Sequence, residues 1–223
     1  MIKWIVALRY RADLSKEACQ QYWTGQHARM VPGIPGLKHY VQSHRVEGEE
    51  DIGDAPYDGY ASLWFEDEAA ARAALASPHM AEVRADAQNF TDVASTRQIL
   101  AREVVMRDVP GDENGLKLIT FNCRQPALSP QAFQDYWENQ HGQLVLRNLA
   151  AMRRYVQNHA VLGSYDAGAE PDFDGMLEGW LTSFEALQEG AETPELQAVR
   201  ADEANFIDPS RFSFMFVRDR VFQ

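Results

Sequence analysis

Only two cysteines occur in 223 residues, Cys19 and Cys123, and neither stands in a CxxC or Cys/His cluster. A disulfide-stapled secreted scaffold is excluded, and two buried thiols in a reducing compartment are expected. Basic residues are also scarce. Lys and Arg number 21 against 33 Asp and Glu, a formal charge of −12, which argues against a phosphate-backbone partner. No apolar run approaches the ~20 residues of a membrane helix, and the opening "MIKWIVALRY" is too short an apolar run for a signal peptide. The expectation is a soluble, cytoplasmic protein with no nucleic-acid or membrane partner. The chain has no G-x-S-x-G elbow, P-loop or dinucleotide fingerprint. Its histidines lack H-x-x-x-H and H-E-x-x-H spacing, so no dedicated metal site is expected.

What the chain does have is itself, twice. Tyr22-Trp23-x-x-x-His27 recurs as Tyr136-Trp137-x-x-x-His141, and Tyr40-Val41-Gln42-x-His44 as Tyr155-Val156-Gln157-x-His159. Asp58-Gly59 and Trp64 recur as Asp174-Gly175 and Trp180, and "VRADAQNFTD" as "VRADEANFID". The chain reads as a tandem duplication, with units 1–108 and 109–223. "RDVPGDENG", Arg107 to Gly115, is the expected linker. In each unit a strand precedes a helix capped by Ser15 or Ser129, with Pro130 at a first helical position. A turn ("VPGIPG" in the first unit), two strands, the helical "DEAAARAALAS", a shorter helix over Val-Arg-Ala-Asp and a last strand follow. The order β-α-β-β-α-β predicts an α+β fold of two ferredoxin-like units, each an antiparallel sheet with helices on one face.

Strand alternation assigns faces. Ile5 and Ala7, Ile119 and Phe121, Leu37 and Val41, and Ala61, Leu63 and Phe65 are expected toward the helices. The opposite parity collects Trp4, Tyr40, Gln42, His44, Tyr60, Ser62 and Trp64, and in the second unit Thr120, Asn122, Tyr155, Gln157, His159, Glu178 and Trp180. Such polar-aromatic sets predict that this face is covered too, with the two sheets packing into one α/β barrel.

"YWTGQHARMVPGIPGLKHYVQSH" and "YWENQHGQLVLRNLAAMRRYVQNH" resemble the EthD domain of the dimeric α+β barrel superfamily. The resemblance implies a covalent pseudo-dimer, with further homodimerisation open. It also implies a pocket using the helix His and the strand Tyr, and catabolism of aromatic or ether compounds. The second unit has "NLAAMRRY" where the first has "PGIPGLKHY", so its turn departs from the family's Pro-Gly pattern.

The candidate catalytic residues are therefore His141, Tyr155, His159, His27, Tyr40, His44 and Glu178. Histidine can exchange a proton near neutral pH, and a phenol can donate to a developing enolate. A buried Glu178 would carry a raised pKa. Packing between sheets and helix capping are the competing roles for the tyrosines and histidines. Trp23, Trp64, Asn122, Trp137, Gln157 and Trp180 are the candidate substrate contacts, suited to a flat apolar molecule, with ordinary core as the alternative for the tryptophans. Thr120, Asn122, Arg124 and Glu178 stand where the first unit has Val6, Leu8, Tyr10 and Ser62, so the second pocket is the expected catalyst. The function expected is a cofactor-independent lyase or isomerase acting by proton transfer on an aromatic, polyketide-like or lactone molecule. A cofactorless or haem-dependent monooxygenase and a non-catalytic binding protein are the alternatives.

Overall fold

The computed structural model describes residues 1–111, 115–190 and 192–222. It divides into two compact units. The first comprises Met1–Arg45, Pro56–Arg102 and Asp219–Gln223, and the second Val46–Ala55 and Glu103–Arg218.

In the first unit β1 (Ile2–Leu8) is followed by α1 (Lys16–Tyr22), whose N-cap Ser15 accepts from the Ala18 amide. Such a cap is worth about 1 kcal/mol. The helix does not stay α. Trp23–His27 is a π-turn, in which the Ala28 N–H reaches back to the Trp23 carbonyl, and α2 (Ala28–Met30) follows. A 3-10 turn at Val31–Gly33 and Gly36, at φ +75°, lead into β2 (His39–Arg45). β3 (Gly59–Phe65), α3 (Glu68–Leu75), α4 (Pro78–Ala87) and β4 (Arg97–Asp108) complete the unit's elements. β1 pairs antiparallel with β3 and β4, and β3 with β2, so the sheet order is β4-β1-β3-β2.

The second unit repeats the plan with β5 (Lys117–Asn122), α5 (Pro130–Tyr136), a π-turn at Trp137–His141 and α6 (Gly142–Asn148). Ser129 caps α5 and Pro130 opens it. β6 (Met152–Ala160), β7 (Gly175–Leu181), α7 (Phe184–Gly190), α8 (Pro194–Glu203) and β8 (Ser213–Phe222) follow, in sheet order β8-β5-β7-β6. The fold is α+β, two ferredoxin-like units in tandem.

Several expectations need correction. The Val-Arg-Ala-Asp helix α4 has 10 residues and is longer than α3, which has 8. The Pro at its first position and the Ser77 cap start it before the repeated motif. The expected linker begins too early, because β4 runs to Asp108. Residues 112–114 of that linker lie outside the described residues.

The faces of β1, β2, β5 and β6 are opposite to expectation. Directly opposed residues share a face, and the row Trp4–Leu63–Tyr40 meets the helices, as do Val6–Ala61–Gln42 and Leu8–Gly59–His44. The rows Leu118–Gly179–Tyr155, Thr120–Leu177–Gln157 and Asn122–Gly175–His159 do the same in the second unit. Ile5, Ala7, Val41, Ile119, Phe121 and Val156 point away from the helices, with Tyr60, Ser62, Trp64, Glu178 and Trp180. Only β3 and β7 were placed correctly. The cause is that both faces are buried. Ile5 is 0% exposed and Trp4 7%, so alternation carries no inside-outside signal.

Both cysteines are free and buried, and burial raises both thiols. No helix among the described residues is long and apolar enough to cross a membrane.

Candidate active site

The duplicated motifs meet at the π-turn. The Trp23 indole lies on the β2–β3 pair so closely that a Cβ on Gly59 would sit 3.0 Å from it, and on Gly175 2.4 Å from Trp137. This explains the repeated Asp-Gly. The glycine admits the indole, and the aspartate accepts from the Tyr10 or Arg124 amide at 2.8 Å. Gln42 Nε2 donates to the Trp23 carbonyl (2.9 Å) and to the Tyr40 hydroxyl (2.6 Å). Gln157 does the same to Trp137 (3.0 Å) and Tyr155 (2.7 Å), and the Trp137 indole N–H also donates to Tyr155 (3.2 Å). Each phenol thus accepts from its neighbours, leaving its own proton to donate. Burial raises both phenols, which stay protonated at neutral pH.

The last residue of the Tyr-Val-Gln-x-His motif completes this brace. His44 Nε2 lies 3.1 Å from Gln42 Oε1, and His159 Nε2 3.0 Å from Gln157 Oε1. An amide oxygen only accepts, so Nε2 carries the proton. The rings lie on Trp23 and Trp137 at 4.4 and 4.7 Å. His44 is pushed down to about 4, by burial first and then by Arg220, with Asp219 opposing. A neutral imidazole whose Nε2–H is committed to an amide orients Gln42 and is badly placed to act as base.

The helix histidines are built differently. His27 Nδ1 meets Asp86 Oδ2 at 2.8 Å, and Tyr22 and Asn89 donate to Asp86 Oδ1. His141 Nδ1 meets Asp202 Oδ2 at 2.9 Å, with Tyr136 and Asn205 in the same roles. The carboxylate fixes the proton on Nδ1, so Nε2 presents its lone pair. Burial lowers both imidazoles and the aspartate pulls the other way, with burial prevailing. Asp202 is itself held low, its bonds from Tyr136, His141 and Asn205 outweighing its burial. The sequence reading missed Asp86 and Asp202. The signal was there in the repeated Val-Arg-Ala-Asp, with its aspartate in the same place both times.

In the first unit these groups border a cavity of about 240 Å³. Trp4, Val6, Tyr40, Ala61 and Leu63 line it from the sheet, Trp23 and His27 from the π-turn, and Val83, Arg84, Ala87 and Phe90 from α4 and the turn beyond. In the second unit three of the corresponding positions carry larger side chains and two, Leu118 for Trp4 and Gly179 for Leu63, carry smaller ones. Leu177 replaces Ala61, Phe212 replaces Thr96 and Phe214 replaces Gln98. With Met152, Trp137, Tyr155 and Phe206 they pack into one hydrophobic cluster. The cavity therefore brings together His27, Tyr40 and Trp23, while in the second unit Trp137 and Tyr155 belong to the hydrophobic cluster and His141, Gln157 and Asn122 are buried beside their repeat partners.

Three predicted site residues are not brought to either place. Trp64 and Trp180 lie under Lys3 and Lys117, 4.7 Å from ring centroid to ammonium in each case, on the sheet face away from the helices. Glu178 shares that face. Its Oε1 meets Lys117 Nζ at 3.2 Å and its Oε2 accepts from Asn158, with both ionic side chains buried. It was grouped with Tyr155 only because β6 was assigned the wrong face. Arg124, also expected inside, pairs with Glu170 and Asp174.

A tandem of ferredoxin-like sheets, each with a Trp-x-x-x-His π-turn and a Tyr-Val-Gln strand beneath it, defines the dimeric α+β barrel class. Within that class, the EthD domain family matches residues 11–94 and again 125–210. The chain belongs to the EthD family, in a tandem form. It is similar over 99% of its length to an anthrone oxidase-like protein, at 10% identity over 92% of that chain and a TM-score of 0.68. Over 97% of its length it is similar to a mutant chlorite dismutase from Candidatus Nitrospira defluvii, at 12% identity over 91% of that chain and a TM-score of 0.56. These likenesses show the fold. No curated protein matches the chain.

Proposed function

We propose that the protein is a cofactor-independent lyase or isomerase that moves a proton on a small apolar molecule held in the cavity of the first unit. The observation that supports this best is the placement of His27, backed by Asp86, and Tyr40, braced by Gln42, on the wall of one cavity. His27 Nε2 takes the proton. The Tyr40 hydroxyl donates to the oxygen on which charge develops, which stabilises an enolate. Trp4, Trp23 and Phe90 offer flat apolar surface, so an aromatic, polyketide-like or lactone substrate fits, and dehydration, decarboxylation, cyclisation or retro-aldol release would all use these parts. The polar substitutions pointed to the second unit for the base; the role falls instead to His27, which lies on the wall of a cavity.

A screen of enolisable aromatic ketones and lactones for hydrogen–deuterium exchange in D₂O tests the reading. Exchange should be lost in His27→Ala and strongly slowed in Tyr40→Phe. Exchange that survives His27→Ala would sink it. A second reading keeps the same base but passes the carbanion to O₂, and the fold shared with an anthrone oxidase-like protein favours including it. Oxygen uptake measured in the same screen separates the two.

A further inference from the structure

The first-unit cavity has one cation on its wall and no carboxylate. Among its lining residues Arg84 is the sole Lys or Arg, and no Asp or Glu appears, in a chain whose net charge is −12. Arg84 is exposed as a residue yet lines the cavity, so it stands at the mouth. Its guanidinium lies 5.4 Å from the Trp4 ring centroid, and its Nη1 donates to the Leu75 carbonyl at 3.3 Å. No carboxylate pairs with it among the described residues. A guanidinium has five donors in a planar fork and matches a carboxylate through two of them.

The second unit has a carboxyl group at the matching place, pushed up to about 7 by burial, with Arg200 opposing. Arg84 and Ala87, three residues apart on one face of α4, correspond to Arg200 and Glu203 on α8. Glu203 is half-buried and lies within electrostatic reach of Arg200 and of Tyr155. Where the second unit carries a carboxyl group within electrostatic reach of both the arginine and the tyrosine, the first unit has the methyl group of Ala87 on the cavity wall.

We infer that the first-unit cavity binds a planar apolar molecule carrying one carboxylate, which Arg84 holds where Glu203 stands in the second unit. The inference rests on reading this cavity as the ligand site. It adds the charge of the substrate and an anchor that orients it at one end while His27 and Tyr40 act within. Arg84 is then a specificity-determining residue.

The probes are 2-naphthoate and its neutral analogue 2-naphthamide, titrated into the intact protein and followed by quenching of tryptophan fluorescence, since Trp4 and Trp23 line the cavity. Naphthoate should bind about tenfold or more tighter than the amide, the value of one charge-assisted contact. Arg84→Gln should abolish that preference, and Arg84→Lys should retain part of it. Ala87→Glu, which installs the second unit's carboxylate, should weaken naphthoate and spare the amide. Equal binding of the two probes by the unaltered protein overturns the inference, as does a preference that persists in Arg84→Gln. Binding does not require the base, so a His27→Gln protein should still prefer naphthoate. If it does while the unaltered protein exchanges no substrate proton, proton-transfer catalysis fails and the anion site stands.

Discussion

The two units carry the same brace and the same His–Asp pair, yet the residues between these motifs differ in size, and in the first unit they border a cavity. The difference lies in the residues between the motifs. Ala61, Thr96 and Gln98 line the cavity, and the larger Leu177, Phe212 and Phe214 stand in their places within the second unit's hydrophobic cluster. Away from the helices the polarity runs the other way. The second unit buries Lys117 against Glu178, and the first has Ser62 at the glutamate's position. Identical catalytic-looking residues thus do not make equivalent sites. What distinguishes them is the size of the side chains around the imidazole.

The sharpest way to break this comparison is to remove each helix histidine in turn. His27→Ala should lower turnover by roughly 10²–10⁴-fold, the usual contribution of a positioned base, whereas His141→Ala should leave turnover within a few-fold. Steady-state rates on any substrate found by exchange screening decide it, and equal losses would make the units equivalent after all.

Stability provides the next contrast. Glu178→Ala takes the carboxylate away from a buried ammonium and should cost about 3 kcal/mol, while Ser62→Ala in the first unit should cost well under 1 kcal/mol. Urea denaturation of both variants measures the difference. The packing itself can be exchanged between units. Leu177→Ala should destabilise by about 2–4 kcal/mol because its site is already full. Ala61→Leu, entering a cavity, should leave stability within about 1 kcal/mol and abolish ligand binding. If Ala61→Leu is as disruptive as Leu177→Ala, the first unit is not hollow in solution.

The last contrast is one of pH. His44 sits at about 4 in the fold, below the ~6.5 of a free imidazole, so the folded state binds fewer protons than the unfolded one. Its contribution is complete above pH ~6.5, declines as pH falls, and is lost below about 4. His44→Gln should flatten that part of the stability profile.

Much of the fold was legible because the chain states it twice. Repetition revealed the unit, the caps at Ser15 and Ser129, and the coupling of Trp-x-x-x-His to Tyr-Val-Gln-x-His. Strand facing was not legible, since both faces of β1 and β2 are buried and a period of two then has no polarity to report. That error carried Glu178 into the candidate site. The π-turn was hidden as well, because it forms where Gln42 and Gln157 hold the Trp23 and Trp137 carbonyls, contacts made by residues about 20 positions away in sequence. The cavity was the least accessible feature. It depends on the sizes of Ala61, Thr96 and Gln98 considered together, and no motif records a vacancy.

The duplication has one further consequence, for how such a protein can change. In a homodimer encoded by a single gene, each substitution appears in both subunits, so filling one pocket fills the other. Two copies on one chain are released from that symmetry. Leu177 and Phe214 could accumulate in one copy while Ala61 and Gln98 persisted in the other. The molecule could then gain stability in one half without surrendering the space that chemistry requires in its twin.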